Sequence, residues 1–315
     1  MPGVRDLGHA WRRRPPHHSR RLWALILALD RLRWPLGEKL LACCFTISAL
    51  VGRRGRRQAL AWAAAQPDIG TRTERMARAL CANQGRFLAR GALVGIRDPE
   101  ALERHVAVRG EEHLRVPGGC GTLLIGFHLG PRNAYLALRA AGHALTWMGG
   151  QTTSGAWARS IRDRYQRPGQ DLLPPAREHL ASDLTRVRLL YRARRILLDG
   201  GRVFIGADGV GAEAFSLPLP GGPLSIRAGW LSLRQATKAP VLPVLSHMEG
   251  PVQVVTIHPP LPAPVDDPAR DLDACRRALG DLLHDYVSRF PEQCPTLAFA
   301  QRAPAGDDAG SSSRP

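Results

Sequence analysis

The sequence predicts an α/β fold with a mostly parallel central sheet flanked by helices. Three observations lead there. Apolar runs such as TLLIGF (122–127) and RVFIGAD (202–208) lack polar alternation, the pattern of strands covered on both faces. Helix-like segments separate these runs, as a parallel sheet requires. The 315 residues, 44% hydrophobic and 23% charged, are enough to bury a sizeable core.

Each element has its own signal. Residues 1–20 are basic and proline-containing and predict a mobile arm. Residues 21–100 predict a helical region, with apolar residues at helical spacing in TRTERMARALCANQGRFLARGALV (71–94). HVAVRG (105–110) opens the α/β region, set at 101–300. After the run at 122–127, RNAYLALRAAG (132–142) predicts a helix with Pro131 at its start and Gly142 at its end. ALTWM (144–148) predicts a strand. Residues 156–166 and 184–199 predict helices, and 202–208 a strand ending in an acid. IRAGWLSLRQATKA (226–239) reads as helical. PVLPVLSHM (240–248) and VQVVTIHP (252–259) read as strands, and 267–290 as the last helix. The tail, 301–315, is low in complexity and predicts disorder.

The formal net charge is +17, nearly all of it arginine, with lysine only at Lys39 and Lys238. Such a chain seeks anionic partners. LWALILAL (22–29) and LLACCFTISALVG (40–52) are apolar, but each falls short of the roughly 18 residues of a spanning helix. Arginines flank both pieces, at 12–14 and 20–21 before and 53–54 and 56–57 after. The pattern predicts amphipathic helices that lie in an anionic membrane surface; a hairpin packed on the core with a basic rim is the alternative. Trp23 and Trp34 suit either an interface or a core. The six cysteines form no C-x-x-C and have no zinc spacing, so no metal is expected and a reducing compartment is. The arginines sit beside apolar helices without interleaved aromatics, which argues against a nucleic-acid partner.

Several catalytic signatures are missing: no G-x-S-x-G elbow, no phosphate loop and no H-E-x-x-H. GADGVG (206–211) has the wrong order for a dinucleotide fingerprint. His128, directly after a buried strand, is therefore the leading candidate for catalysis, because working residues of parallel sheets collect at the carboxyl ends of strands. Asp208 stands in the same kind of position. His247 follows another strand and is a weaker candidate for the same face.

FHLGPRN (127–133) and the later block RVFIGADGVGAEAFSLPLPGGPLSIRAGWLSLRQATKAPVLPVL (202–245) resemble the bacterial late acyltransferases of lipid A biosynthesis, within the lysophospholipid and glycerolipid acyltransferases. The matching elements are His128, Asp208, Phe215, Pro218, Gly221, Gly222, Pro223 and the run Ala239 to Val244. The resemblance spans roughly residues 20–290. It implies a glycerolipid-acyltransferase-like fold and transfer of a fatty acyl group from an acyl-carrier-protein or coenzyme A thioester to a hydroxyl or amine of a lipid-like acceptor. It implies no bound cofactor, and a peripheral or monotopic place on the cytoplasmic face of the inner membrane. An acidic carrier protein suits the basic chain.

In that reading His128 is the general base. The family places an acid five residues after it; here Asn133 stands there, able to orient the imidazole but not to balance an imidazolium. Five residues in a helix leave side chains about 140° apart, so His128 must lie in the turn ahead of the helix. There the helix N-terminus would offer N–H groups to an oxyanion. Three readings follow from Asn133: a slower enzyme or a more reactive acceptor, another acid such as Asp208 or Glu213 supplying the charge in space, or a fold kept for non-catalytic lipid binding or assembly. The family's arginine after the next strand is also absent from TWMGGQTT (146–153). Arg132 or Arg159 can take its place, and Asp208 and Gly209 complete the expected substrate-binding set.

Overall fold

The computed structural model describes residues 36–51, 53–66, 70–96, 105–115, 121–131, 134–148, 183–208 and 213–300. The arm, the apolar piece 22–29, Trp23, Trp34, the helix expected at 156–166 and the tail lie outside the described residues.

Among the described residues three helices come first: α1 (Leu36–Val51), α2 (Arg53–Ala64) and α3 (Thr73–Ile96). Strands β1 (Val106–Arg109), β2 (Thr122–Gly126), β3 (Thr146–Met148), β4 (Arg202–Gly206), β7 (Val241–Glu249) and β8 (Val252–Ile257) form one sheet in the order β1-β8-β7-β2-β4-β3. Every neighbouring pair is parallel except β7 with β8, a hairpin. Strands β5 (Glu213–Leu219) and β6 (Gly222–Arg227) pair antiparallel in a separate two-stranded ribbon. Helices α4 (Ala134–Ala140), α5 (Asp183–Leu198), α6 (Gly229–Thr237), α7 (Pro268–Arg289) and α8 (Pro295–Ala300) are the other α-helices among the described residues. Among the described residues no helix is long and apolar enough to cross a membrane.

Burial explains the apolar runs. All five residues of β2 are buried. Its side chains alternate between two clusters, since successive residues of a strand point to opposite faces. Leu123 and Ile125 join the larger cluster with residues of α5, α6 and α7, whereas Leu124 joins Leu136 and Leu138 of α4. The result is helix, sheet, helix in three layers.

The expected helix at 226–239 is shorter in the structure. Helix α6 begins at Gly229, and Ile226 and Arg227 belong to β6. The β5–β6 ribbon was not expected from the sequence at all. Its two prolines face one another at Pro218↔Pro223, which an isolated ribbon tolerates and a central strand does not.

Buried polar groups fasten the helical region to the sheet. Glu38, 4% exposed, binds Arg86 (3.0 Å) and the buried Arg90 (3.2 Å), joining α1 to α3. Both arginines go on to donate to the β7–β8 turn, Arg86 to Gly250 O (2.8 Å) and Arg90 to Pro251 O (2.7 Å). On α2, buried Trp62 donates from Nε1 to Pro291 O (3.1 Å). Asn83 on α3 donates to Glu292 O (2.8 Å).

Candidate active site

Strands β2 and β4 are parallel neighbours, with Gly126 opposite Gly206. His128 lies two residues beyond Gly126 and Asp208 two residues beyond Gly206. Equal offsets past paired positions bring the two side chains to the same place on the sheet's carboxyl edge. The sequence carries the matching text: Ile125-Gly126-Phe127-His128 and Ile205-Gly206-Ala207-Asp208.

The backbone around the pair is held on each side. Ala207 N donates to Gly126 O (2.8 Å), extending the pairing one step beyond the strands. Arg227 N donates to Ala207 O (2.8 Å), and Asp208 forms an antiparallel bridge with Ile226. After His128, Leu129 is fully buried and Gly130 N donates to Gln293 O (3.0 Å). Gly130 has φ 66°, and a Cβ there would lie 2.0 Å from Ser246 O and 2.3 Å from the Tyr286 hydroxyl. Only glycine allows this turn. Gly206 serves differently: a Cβ at that position would stand 3.7 Å from His128 Cε1, so the ring lies over the strand end.

Asp208 gives both carboxylate oxygens to His128. Oδ2 accepts from the His128 backbone N (2.8 Å), and Oδ1 lies 2.7 Å from Nδ1. A carboxylate only accepts, so the hydrogen bond assigns the ring proton to Nδ1 and leaves the Nε2 lone pair free. Asp208 is 2% exposed, while the His128 side chain is 44% exposed. The pair therefore has a buried anchor and an open imidazole, the arrangement of a base backed by an acid.

Asp208 was expected either in the substrate-binding set or as the acid that supplies charge to His128, and its carboxylate faces the imidazole. Glu213, the other acid considered, stands exposed at the start of β5. Arg132, Asn133, Arg159 and Gly209 lie outside the described residues. The site also includes Arg227, which the sequence did not single out. Its half-buried guanidinium lies within electrostatic range of Asp208; burial pulls its pKa below the ordinary arginine value, and the carboxylate works the other way. Arg227 follows Ile226, the bridge partner of Asp208, but nothing in a Pro/Gly-rich sequence marks it as an edge of the site.

His247 belongs elsewhere. Its ring stacks on Phe290 at 4.3 Å between centroids and its Nε2 lies 3.0 Å from Glu249. With Arg109, His258, Asp285 and Arg289 it lines a cleft of about 250 Å³ between β7–β8 and the end of α7. Burial lowers the pKa of His258, favouring its neutral form. Among the described residues no group of three or more His, Cys, Asp or Glu could hold a metal.

No protein-family model matches the chain, and no curated protein matches it.

Proposed function

We propose that the chain is an acyltransferase that moves a fatty acyl group from an acyl-carrier thioester to a hydroxyl or amine of a lipid-like acceptor. The observation that carries this reading is the His128–Asp208 pair at the open end of a parallel sheet, with no hydrogen bond to Nε2 among the described residues. Nε2 takes the acceptor's proton as its oxygen or nitrogen attacks the thioester carbonyl carbon. The C–S bond then breaks, and the thiolate leaving group recovers the proton from Nε2. Asp208 balances the imidazolium in between, the charge that Asn133 cannot supply. The second reading of Asn133, an acid reaching the histidine from elsewhere in the chain, thus has a physical basis in this geometry.

The place of work we assign is the cytoplasmic face of the inner membrane, reached by the helical region. Support comes from α1. Leu36, Leu40, Ile47 and Val51 are 49%, 39%, 56% and 78% exposed. At about 100° per residue they fall within about 60° of one another, a single apolar stripe about 22 Å long. The opposite side of α1 carries Glu38, locked to α3. Exposed Arg56 and Arg57 follow on α2 and suit anionic head groups.

Transfer of a labelled acyl group from acyl-carrier protein and from coenzyme A to extracted membrane lipids tests the activity. His128→Ala should lower the rate by about 10³-fold or more while the fold persists. Undiminished transfer in that variant removes the proposed base, and no transfer by the unaltered chain from either donor favours a lipid-binding role.

A further inference from the structure

The turn that carries His128 is tied to a distant part of the chain. Gly130 N, two residues after the base, donates to Gln293 O (3.0 Å). Gln293 ends a short 3₁₀ turn, Pro291–Gln293, between α7 and α8. Its side chain is engaged as well. Oε1 accepts from Met248 N (2.7 Å) and Nε2 donates to Met248 O (3.1 Å), so the carboxamide brackets one residue of β7. The location of that residue explains why. Strand β2 pairs with β7 only as far as Gly126↔Val244, whereas β7 runs on to Glu249. Met248 lies opposite Gln253 of β8, whose own N–H turns away to His105 O (2.8 Å). The N–H and carbonyl of Met248 therefore point to the edge that β2 has left open. Side chains close that edge: Tyr286 Oη donates to Ser246 O (2.6 Å), and Gln293 meets Met248 as a neighbouring strand would.

The same short turn is held from behind. Trp62 Nε1 donates to Pro291 O (3.1 Å) and Asn83 Nδ2 to Glu292 O (2.8 Å). Three successive carbonyls thus take donors from α2, from α3 and from the turn after His128. Gln293 is 6% exposed, so its bonds compete little with water. A carboxamide supplies a donor and an acceptor side by side; a glutamate in its place keeps the acceptor, and a methionine keeps neither.

We propose that Gln293 is a positioning residue for the His128 base. Its carboxamide closes the open edge of β7, and its carbonyl holds the turn at the distance from β4 that lets Nδ1 reach Asp208. The proposal rests on the acyl-transfer reading for the reaction served, and on the hydrogen bonds alone for the geometry.

Two measurements on the full chain test it. The first is the ¹⁵N spectrum of histidine-labelled protein at a pH above the range in which imidazoles titrate, with the His128 signals assigned by His128→Ala. The unaltered chain should show His128 as the Nδ1–H tautomer, and Gln293→Met should move it toward the mixture of a free imidazole. The second is steady-state acyl transfer. Gln293→Met should lower kcat by about 10–100-fold and leave KM within about twofold, the mark of a displaced base and not of lost binding. Gln293→Glu, a milder change that keeps the acceptor for Met248 N, should show both effects in smaller measure. Asp267→Ala, which removes the cap at the far end of α7, should lower the thermal midpoint and leave kcat and the tautomer unchanged. An unmoved tautomer in the folded Gln293 variants, or the same losses in Asp267→Ala, overturns the proposal. The spectrum needs no turnover, so failure of the acyl-transfer reading would appear separately, as absent transfer by the unaltered chain beside a tautomer that still depends on Gln293.

Discussion

Gly130 turns the chain directly after His128 at φ 66°, against Ser246 O and the hydroxyl of Tyr286. An alanine there must adopt a left-handed conformation and push on two oxygens. Gly130→Ala should therefore cost about 2 kcal/mol or more in stability, and should reduce acyl transfer further by shifting His128; chemical denaturation beside the transfer assay checks both. The histidine itself was legible in the sequence, because a polar residue ending a buried strand is conspicuous. Its partner was named only as one of two candidate acids, Asp208 or Glu213, since the contact spans 80 residues and depends on which strands are neighbours. The signal was nevertheless present, as Ile-Gly-x-His and Ile-Gly-x-Asp closing two apolar runs of equal length.

Among the elements, α6 and α7 are joined by a fully buried ion pair. Arg234 binds Asp271 through Nη2 (2.8 Å) and Nε (3.0 Å to Oδ2), with neither side chain exposed. Hydrogen bonding from Arg234 holds the Asp271 carboxyl below the usual carboxylate range, against the opposing effect of burial. A folded pKa lower than the unfolded one gives stability that is fully present above the unfolded value of about 4. That stability is lost as pH falls through the folded value. Asp271→Asn should lower stability at neutral pH by about 3–5 kcal/mol, because it leaves a buried guanidinium unbalanced, and should flatten the acid limb of the melting-temperature profile. The helices themselves were readable from apolar spacing and capping; Asp267, for example, caps α7 by accepting from Ala269 N and Arg270 N. The β5–β6 ribbon was hidden because Pro218, Pro220, Gly221, Gly222 and Pro223 read as turn residues. Two strands pairing only with each other leave edges where proline costs no sheet hydrogen bond.

For the whole molecule, strand existence was legible while strand order was not. Chain order alone does not place β4 between β2 and β3, or β7 beside β2; helix crossovers make such neighbours without leaving a local signal. The basic surface and the stripe on α1 act at this scale too. In flotation with vesicles containing anionic lipid, the full chain should float, less so as salt screens its +17 charge. Leu40→Asp with Ile47→Asp should cut the floated fraction at least by half, and unchanged flotation would remove α1 from the interface. The central claim is that Asp208, reaching His128 across two strands, makes the imidazole an effective base. The most direct measurement is the single-turnover acyl-transfer rate of Asp208→Asn, with folding verified by its thermal midpoint. The rate should fall about 10³–10⁴-fold, as when the orienting acid of a histidine base becomes an amide. A folded Asp208→Asn protein that transfers at the unaltered rate would contradict it.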